Sequence, residues 1–583
     1  MAHTACKPSQ AAAARPRHAY PGLGLNLYHS RSQEPGTYPM GIHQFCYGAA
    51  TYLLPVRELA MLAVMDLLTD KPEWQRKIYD EAIVDKWRRE ALAIPDALFF
   101  EEIERATGWM GTRDREPPTD SRSLRLLDSD SFDYCVEELR DKAEFTRATG
   151  LIPTLDACAS VIKSDTAVGP DLKKALREAF CDLIKDQQHD PDYHPSTNDM
   201  VQDLVHPSLY PLVFGRTKVI LDEVVGVEDA ISAWAGKGET IPTPTPAGQS
   251  QLGGDASSHI NTSPMDEDQD ADEWALERRH EKLWEAARWP VHPQVPEYEL
   301  VDYNAPAGTT LRERFREGGL QIIVKMATIE LTPETPHFPE GGWHVEGQMN
   351  EHIVGTAIYY LDSENITPSH LSFRMQTGED HRMLQDCVEQ DRYGWLEVVY
   401  GTELGADKGV CLQSYGKVET KEGRLLAFPN VFHHRVSPFE LADKSKPGHR
   451  RIIALWLVDP LTRIISTANV PPQQRDWWLD DALATSDANT KSSPYPQGRS
   501  ADKTGQRGTG GGVLAGIFDR PGFSTLSQEL LGYIRRDLDE LELPMTLAEA
   551  RAHRLELMGE RTTIQQGVQR EQAECLTLPE FTS

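Results

Sequence analysis

Between positions 319 and 458 the chain carries seven short runs of β-branched and aromatic residues parted by turn formers. They are LQIIVKMATIEL (320–331), EHIVGTAIYYL (351–361), LSFRMQ (371–376), LEVVYG (396–401), VCLQSYGKVET (410–420), GRLLAFP (423–429) and RRIIALWLV (450–458). Each is short for a helix, and together they are too many for a lone hairpin. A set of this kind can bury its apolar side chains only by facing one sheet with another. A sandwich or jelly-roll barrel is therefore expected.

The rest of the chain has a different period. Residues 57–68 (RELAMLAVMDLL), 132–148 and 171–185 (DLKKALREAFCDLIK) repeat apolar side chains at helical spacing, so 21–235 reads as a mainly helical N-terminal region. Within it, 190–207 is rich in Pro, His, Asp and Asn and reads as a loop, and HPSLYPLV (206–213) as an extended connector. Residues 1–20 are expected to be disordered. Residues 236–272 are Pro, Gly, Ser, Thr and Asp with almost no large apolar side chain, which predicts an acidic linker. The strand-rich domain is set at 273–483, opened by a helix over 273–288. Residues 484–512 read as flexible, and 513–583 as C-terminal helices over 524–541 and 547–570.

Charge and cysteine content narrow the classes of function. The net charge is −30, which argues against a nucleic-acid partner, since phosphate binding needs clustered Lys and Arg. The eight cysteines are scattered with no C-x-x-C pair, which argues against a zinc ribbon, a thioredoxin-type motif or a dense disulfide framework. No signal-peptide core and no apolar stretch near the ~20 residues of a membrane span is visible. An intracellular protein, cytoplasmic or nuclear, is expected.

Chemistry concentrates in two places. In Gly342-Trp343-His344-Val345-Glu346-Gly347, alternation along a strand would aim His344 and Glu346 at one side. An imidazole and a carboxylate suit non-haem Fe(II), with a third ligand completing a facial triad that leaves positions open. Of the 19 histidines, only His344 has an acidic residue two positions later. A chance surface pair would look the same. The second place, Phe428-Pro429-Asn430-Val431-Phe432-His433-His434-Arg435, supplies the third ligand from His433 or His434. Beyond it, Arg450, Ile452, Ala454 and Trp456 share a strand face. Arg450 can therefore point inward and pair with a cosubstrate carboxylate, unless His449-Arg450-Arg451 is a surface basic cluster.

These features together resemble the Fe(II)/2-oxoglutarate-dependent dioxygenase superfamily, in its prolyl-hydroxylase-like branch. That branch carries H-x-D, a strand ending I-Y-Y-L-N, a distal His, and an Arg followed six residues later by Trp. Here stand His344-Val345-Glu346, Ile358-Tyr359-Tyr360-Leu361-Asp362, His434, Arg450 and Trp456. The resemblance, over roughly 319–460, implies an α+β protein built on a double-stranded β-helix. It implies Fe(II) on His344, Glu346 and His434, and 2-oxoglutarate with its far carboxylate on Arg450 and Tyr360. A closer resemblance, through WHVEGQMNEHIVGTAIYYLDSENIT, GRLLAFPNVFHHRVSPFELADKSKPGHRRIIALWLVDP and ISTANVPPQQRDWW, is to the fungal DUF4246 family, which has no assigned function. A single His before Arg-Val in that family favours His434 over His433. The chain departs from the superfamily in having Glu346 where Asp is usual. It departs from the family in running into the acidic stretch where a YINNLHP-like segment is expected.

Other residues are weighed beside these. His352 reads as a satisfied loop histidine more readily than as pocket lining, and Ser372 and Arg374 as strand residues at least as readily as substrate contacts. Trp343, Met349 and Phe428 read as core or pocket wall. Three functions follow: an oxygenase acting on a small molecule or a protein side chain, an inactive metal- or ligand-binding barrel serving as a scaffold, and a zinc hydrolase, for which no partner base stands at suitable spacing.

Overall fold

The computed structural model describes residues 20–21, 24–25, 53–107, 125–156, 160–220, 239–240, 279–280, 293–295, 297–376, 384, 393–402, 404, 412–470 and 545–574. The expectations for 1–19, for the body of the 236–272 linker, for most of the helix at 273–288, for 484–512 and for a helix over 524–541 lie outside the described residues. Two compact units are present. One comprises 30–207, 253–461 and 560–583, and the other 1–29, 208–252 and 462–559.

The larger unit combines helices with two antiparallel sheets. Its helices are α1 (Val56–Thr69), α2 (Glu81–Leu92), α3 (Asp96–Thr107), α4 (Ser129–Thr149) and α5 (Pro170–Asp186). Local chemistry sets their ends. Asp80 caps α2 by accepting from the Ala82 and Ile83 amides. Asp128 and Ser131 form a reciprocal capping box on α4, which Gly150 closes at φ 74°. Pro170 opens α5, where a missing amide costs nothing.

The strands are β1 (Ile152–Thr154), β2 (Val161–Ser164), β3 (Val201–Val205), β4 (Ile322–Leu331), β5 (Ile353–Glu364), β6 (His370–Gln376), β7 (Leu412–Glu419), β8 (Leu425–Pro429), β9 (His433–Val436) and β10 (Gly448–Val458). Seven of them form one sheet in the order β1-β2-β8-β5-β10-β4-β3, and three form another in the order β7-β6-β9. Among the described residues the strands do not close into a barrel; both sheets are open. The sheets meet through their apolar faces, with the Phe373 ring of β6 edge-on to Phe428 of β8 at 5.0 Å.

Period-2 alternation divides the seven-stranded sheet into two distinct faces. Tyr360, Leu426 and Phe428 enter the core shared with the second sheet and the helices. Tyr359, Leu361 and Ile453 point the other way and bury Phe180 of α5. On the far side of the smaller sheet, α1 and α3 lie against β7. The helix α1 is apolar around most of its circumference, so it is covered on several sides. Its C-terminal acids join it to the large sheet. Lys163 of β2 lies 2.6 Å from Asp66 and 3.0 Å from Asp70, and Arg424 lies 2.5 Å from Asp70 and 2.7 Å from Asp165.

Two segments differ from the sequence expectation. LEVVYG is not a strand but the end of a helix, α6 (Gly394–Tyr400). Gly401 at φ 62° caps it by donating its amide to Glu397, and Leu396, Val398 and Val399 are buried, so packing overrides β-branched propensity. Within the polar stretch 190–207, read as a loop, Val201–Val205 pairs with β4 as an edge strand.

The smaller unit is held around Asn469. Its side-chain amide donates to the Tyr20 hydroxyl at 3.0 Å and the Ile220 carbonyl at 3.1 Å, beside buried Val219 and Val470. A helix, α7 (Leu547–Glu574), follows near the C-terminus. No helix among the described residues is long and apolar enough to cross a membrane.

Candidate metal centre

His344 does not lie in a strand of any length. It forms one isolated antiparallel bridge with His434, donating its amide to the His434 carbonyl at 3.2 Å and accepting from the His434 amide at 2.9 Å. The chain then bends away at Gly347, φ 74°. A Cβ there would stand 2.6 Å from the Ile353 side chain, so glycine is required twice over.

The bridge brings the two imidazoles together, tilted by 50° with ring centroids 4.4 Å apart. The Glu346 carboxylate closes the group, with Oε1 3.4 Å from His434 Nε2 and 3.9 Å from His344 Nε2. One ligand atom from each residue lies within 4.8 Å of the other two. The His434 side chain is 2% exposed and that of His344 40% exposed, so the cluster has a sealed side and an open one.

Second-layer contacts orient these groups. His344 Nδ1 lies 2.8 Å from the Gly342 carbonyl and donates to it, which turns Nε2 toward Glu346. Asn430, fully buried, clamps the Glu346 backbone. Its Oδ1 accepts from the Glu346 amide at 2.8 Å, and its Nδ2 donates to the Glu346 and Ile353 carbonyls, each at 2.9 Å. Sequence reasoning passed over Asn430; a polar amide between two aromatic strand ends was the available signal. The Trp456 indole stands beside Glu346, and its N–H meets no other acceptor among the described residues. Burial alone would raise the Glu346 pKa. The hydrogen bond from His434 and the charge of both imidazoles reverse that and leave it at about 2. His344 is pushed down by burial and by the facing His434.

Register separates the neighbouring histidines. His434 stands opposite Phe373, and His433 opposite Arg374. His434 therefore shares the core face, 4.9 Å from the Phe428 ring, and His433 lies on the reverse. Burial and then the adjacent Arg374 push His433 down to about 3. On that reverse side the guanidinium carbons of Arg374 and Arg435 lie 4.3 and 4.6 Å from the Trp343 ring centre. Arg374 also donates to the Ala106 carbonyl. Ser372 is buried on β6, and His352, at φ 48° and 3% exposed, accepts from the Asp459 amide through its backbone carbonyl.

Arg450 points inward and is 3% exposed, on the same face of β10 as Ile452, Ala454 and Trp456. Its Nη1 donates to Ser369 Oγ at 2.5 Å and its Nη2 to the Thr420 carbonyl at 3.3 Å. Its Nε has no acceptor, and no carboxylate pairs with it among the described residues. The guanidinium carbon lies 5.7 Å from the Tyr360 ring centre and 4.6 Å from that of Phe439. Burial lowers the Arg450 pKa and raises that of Tyr360.

No curated protein matches the chain. Among solved structures it is similar to one described as selenomethionine labeled Fe(II)/(alpha)ketoglutarate-dependent dioxygenase TqaL, with 16% identity over 25% of this chain and a TM-score of 0.15. The chain spans 44% of that structure's length, and so slight a likeness carries neither fold nor activity. The family described as "Protein of unknown function (DUF4246)" matches residues 129–258 and 250–481, and its N-terminal domain, "Domain of unknown function DUF4246, N-terminal", matches 20–90. Together these matches span most of the chain, which belongs to the DUF4246 family.

Proposed function

We infer that the protein is an Fe(II)- and 2-oxoglutarate-dependent oxygenase, with His344, Glu346 and His434 as the iron ligands and Arg450 with Tyr360 as the seat of the cosubstrate's far carboxylate. On this reading the two facing sheets are the halves of an open double-stranded β-helix. The observation that carries it is the pairing of a two-histidine, one-carboxylate cluster with a buried arginine that lacks a carboxylate partner among the described residues. Both fit their groups. Two imidazole nitrogens and one carboxylate suit a non-haem ferrous ion with positions left open. A guanidinium 3% exposed, with an unused Nε, is costly to bury unless an anion joins it.

When bound, the iron and 2-oxoglutarate supply oxygen activation and oxidation of a substrate C–H bond. The chain's own residues hold and orient. Asn430 fixes the Glu346 backbone, the Gly342 carbonyl sets the His344 tautomer, and Phe428 and Trp456 keep water from the inner side. The half-exposed edge of His344 is where substrate approaches. The net charge of −30 favours a small molecule or a protein side chain over a nucleic acid.

Anaerobic addition of Fe(II) and 2-oxoglutarate to the purified protein tests this. A visible metal-to-ligand charge-transfer band is expected, lost in His434→Ala. Iron bound without the band on adding 2-oxoglutarate would leave a binding scaffold, and no bound iron would overturn the reading.

A further inference from the structure

A second group of metal-ligand type lies on other elements altogether. After α5 the chain folds back on β3: the Asp203 amide donates to the Asp192 carbonyl at 2.8 Å and the His194 amide to the Val201 carbonyl at 2.8 Å. Ser196, Asn198 and Asp199, all at positive φ, shape the return. This hairpin sets His194 beside Asp203, and His206 follows just past the strand end. His194 Nδ1 lies 2.8 Å and His206 Nε2 3.6 Å from the same oxygen, Asp203 Oδ2. One ligand atom from each of the three lies within 4.8 Å of the others.

We propose that His194, Asp203 and His206 form a second divalent-cation site, suited to Zn(II), which shares no ligand with the candidate iron centre. Three features carry this. Two imidazoles and one carboxylate are a donor set that zinc takes readily. The carboxylate is unusually committed to the interior, with the Asp203 side chain 0% and the His206 side chain 5% exposed, while His194 at 25% leaves one approach open for a further ligand. Finally, the two carboxylate oxygens are divided. Lys325 lies 3.1 Å from Oδ1, as an outer partner holds a ligating carboxylate, and Oδ2 is left to the imidazoles. A divalent ion beside Lys325 leaves excess positive charge, so hydroxide or another anion fills the open position. Asp203 stands opposite Ala327 of β4, and Ala327 opposite Ile452 of β10, so the site is on the Arg450 face of the sheet but two strands from β10.

The test uses the full chain carrying Glu346→Ala, which disables the first centre. Titrated with Co(II) alone, it should bind one equivalent with visible ligand-field bands, and dialysis against Zn(II) should leave one zinc per chain. Adding Asp203→Asn or His206→Gln should weaken binding by roughly a hundredfold or more, since even outer partners of a ligand cost 10–100-fold. A folded Glu346→Ala chain that binds no Co(II) would make the group a hydrogen-bonded network only and overturn the proposal. Retention of the ion by folded Asp203→Asn and His206→Gln chains would do the same. Anomalous diffraction at the zinc edge from crystals of the unsubstituted chain reads the site without any variant: a peak among the three side chains is expected, and its absence refutes it. Failure of the iron centre is a separate outcome, a natural chain holding a single equivalent that Glu346→Ala leaves in place.

Discussion

The Asn430 side chain makes three hydrogen bonds, two of them to the backbone of Glu346, the residue whose carboxylate Oε1 lies 3.4 Å from His434 Nε2 and 3.9 Å from His344 Nε2. A carboxylate is positioned only as well as its backbone, and here the backbone is part of a bend rather than a ladder. The Asn430 amide does the work that sheet hydrogen bonds would do in a strand.

Asn430→Ala should therefore weaken both the metal site and the fold. It takes this partner from one amide and two carbonyls, at a cost of about 1–3 kcal/mol for each that stays dry and unpaired. Fe(II) affinity should fall by roughly 10–100-fold, as for other outer-layer substitutions. Asn430→Asp keeps the acceptor for the Glu346 amide but turns a buried carboxylate oxygen toward two carbonyls, and should weaken iron binding at least as much. Equilibrium dialysis with Fe(II) under nitrogen, beside urea unfolding, separates the two effects. Unchanged iron affinity in a folded Asn430→Ala chain would show that the bend holds itself.

Arg450 allows the opposite separation. Removing one partner of a buried pair is destabilising, but this guanidinium has no carboxylate partner among the described residues. Arg450→Met, similar in length and apolar, should leave the unfolding midpoint unchanged or raise it. The same change should weaken 2-oxoglutarate binding by about 2–5 kcal/mol while Fe(II) binding stays near its natural level. Calorimetric titration of each ligand checks this. Parallel loss of both would place Arg450 in the fold rather than in cosubstrate binding.

Strand alternation, visible in the sequence, accounts for much of this geometry. Arg450 shares a face with Trp456, and His433 and His434 part to opposite faces, as period 2 requires. Where alternation does not govern, the sequence was less informative. His344 and Glu346 converge through a single bridge and a glycine bend. Val201–Val205 hid among polar residues because Gln202 and Asp203 interrupt its apolar set. LEVVYG has strand composition, yet its burial and its glycine cap make it helical. The open sheets, in place of a closed barrel, depend on long-range pairings such as β2 with β8, which no local pattern announces.

The Asp70–Arg424–Asp165 group should govern part of the acid sensitivity. Burial alone would raise both carboxylates above the ordinary 3.8, but Arg424, aided by Lys163 at Asp70 and Lys421 at Asp165, holds both below it. With the folded value below the unfolded one, their contribution is fully present above the unfolded value and lost as pH falls through the folded one. Stability should thus decline as pH drops below about 4. Asp70→Asn, which deprives the fully buried Lys163 and Arg424 of a shared partner, should cost about 3 kcal/mol at pH 7 and flatten that decline. Urea unfolding at several pH values reads both. An equal acid slope in the variant would assign the sensitivity elsewhere.

Glu346 decides whether the centre turns over. Asp is one methylene shorter, which withdraws the carboxylate by about 1.5 Å. The bend is held from following it inward by Asn430, which binds the Glu346 amide and carbonyl. In the natural chain the carboxylate already stands 3.4 and 3.9 Å from the two imidazole nitrogens, so retraction should open the cluster. With Fe(II), ascorbate and 2-oxoglutarate, the natural chain should release succinate slowly even without a substrate. Glu346→Ala should abolish that release, leaving two protein ligands, and Glu346→Asp should bind iron less tightly and release less. More succinate from Glu346→Asp than from the natural chain would mean that the glutamate detunes the iron, and that the protein binds its ligands as a scaffold rather than consuming them.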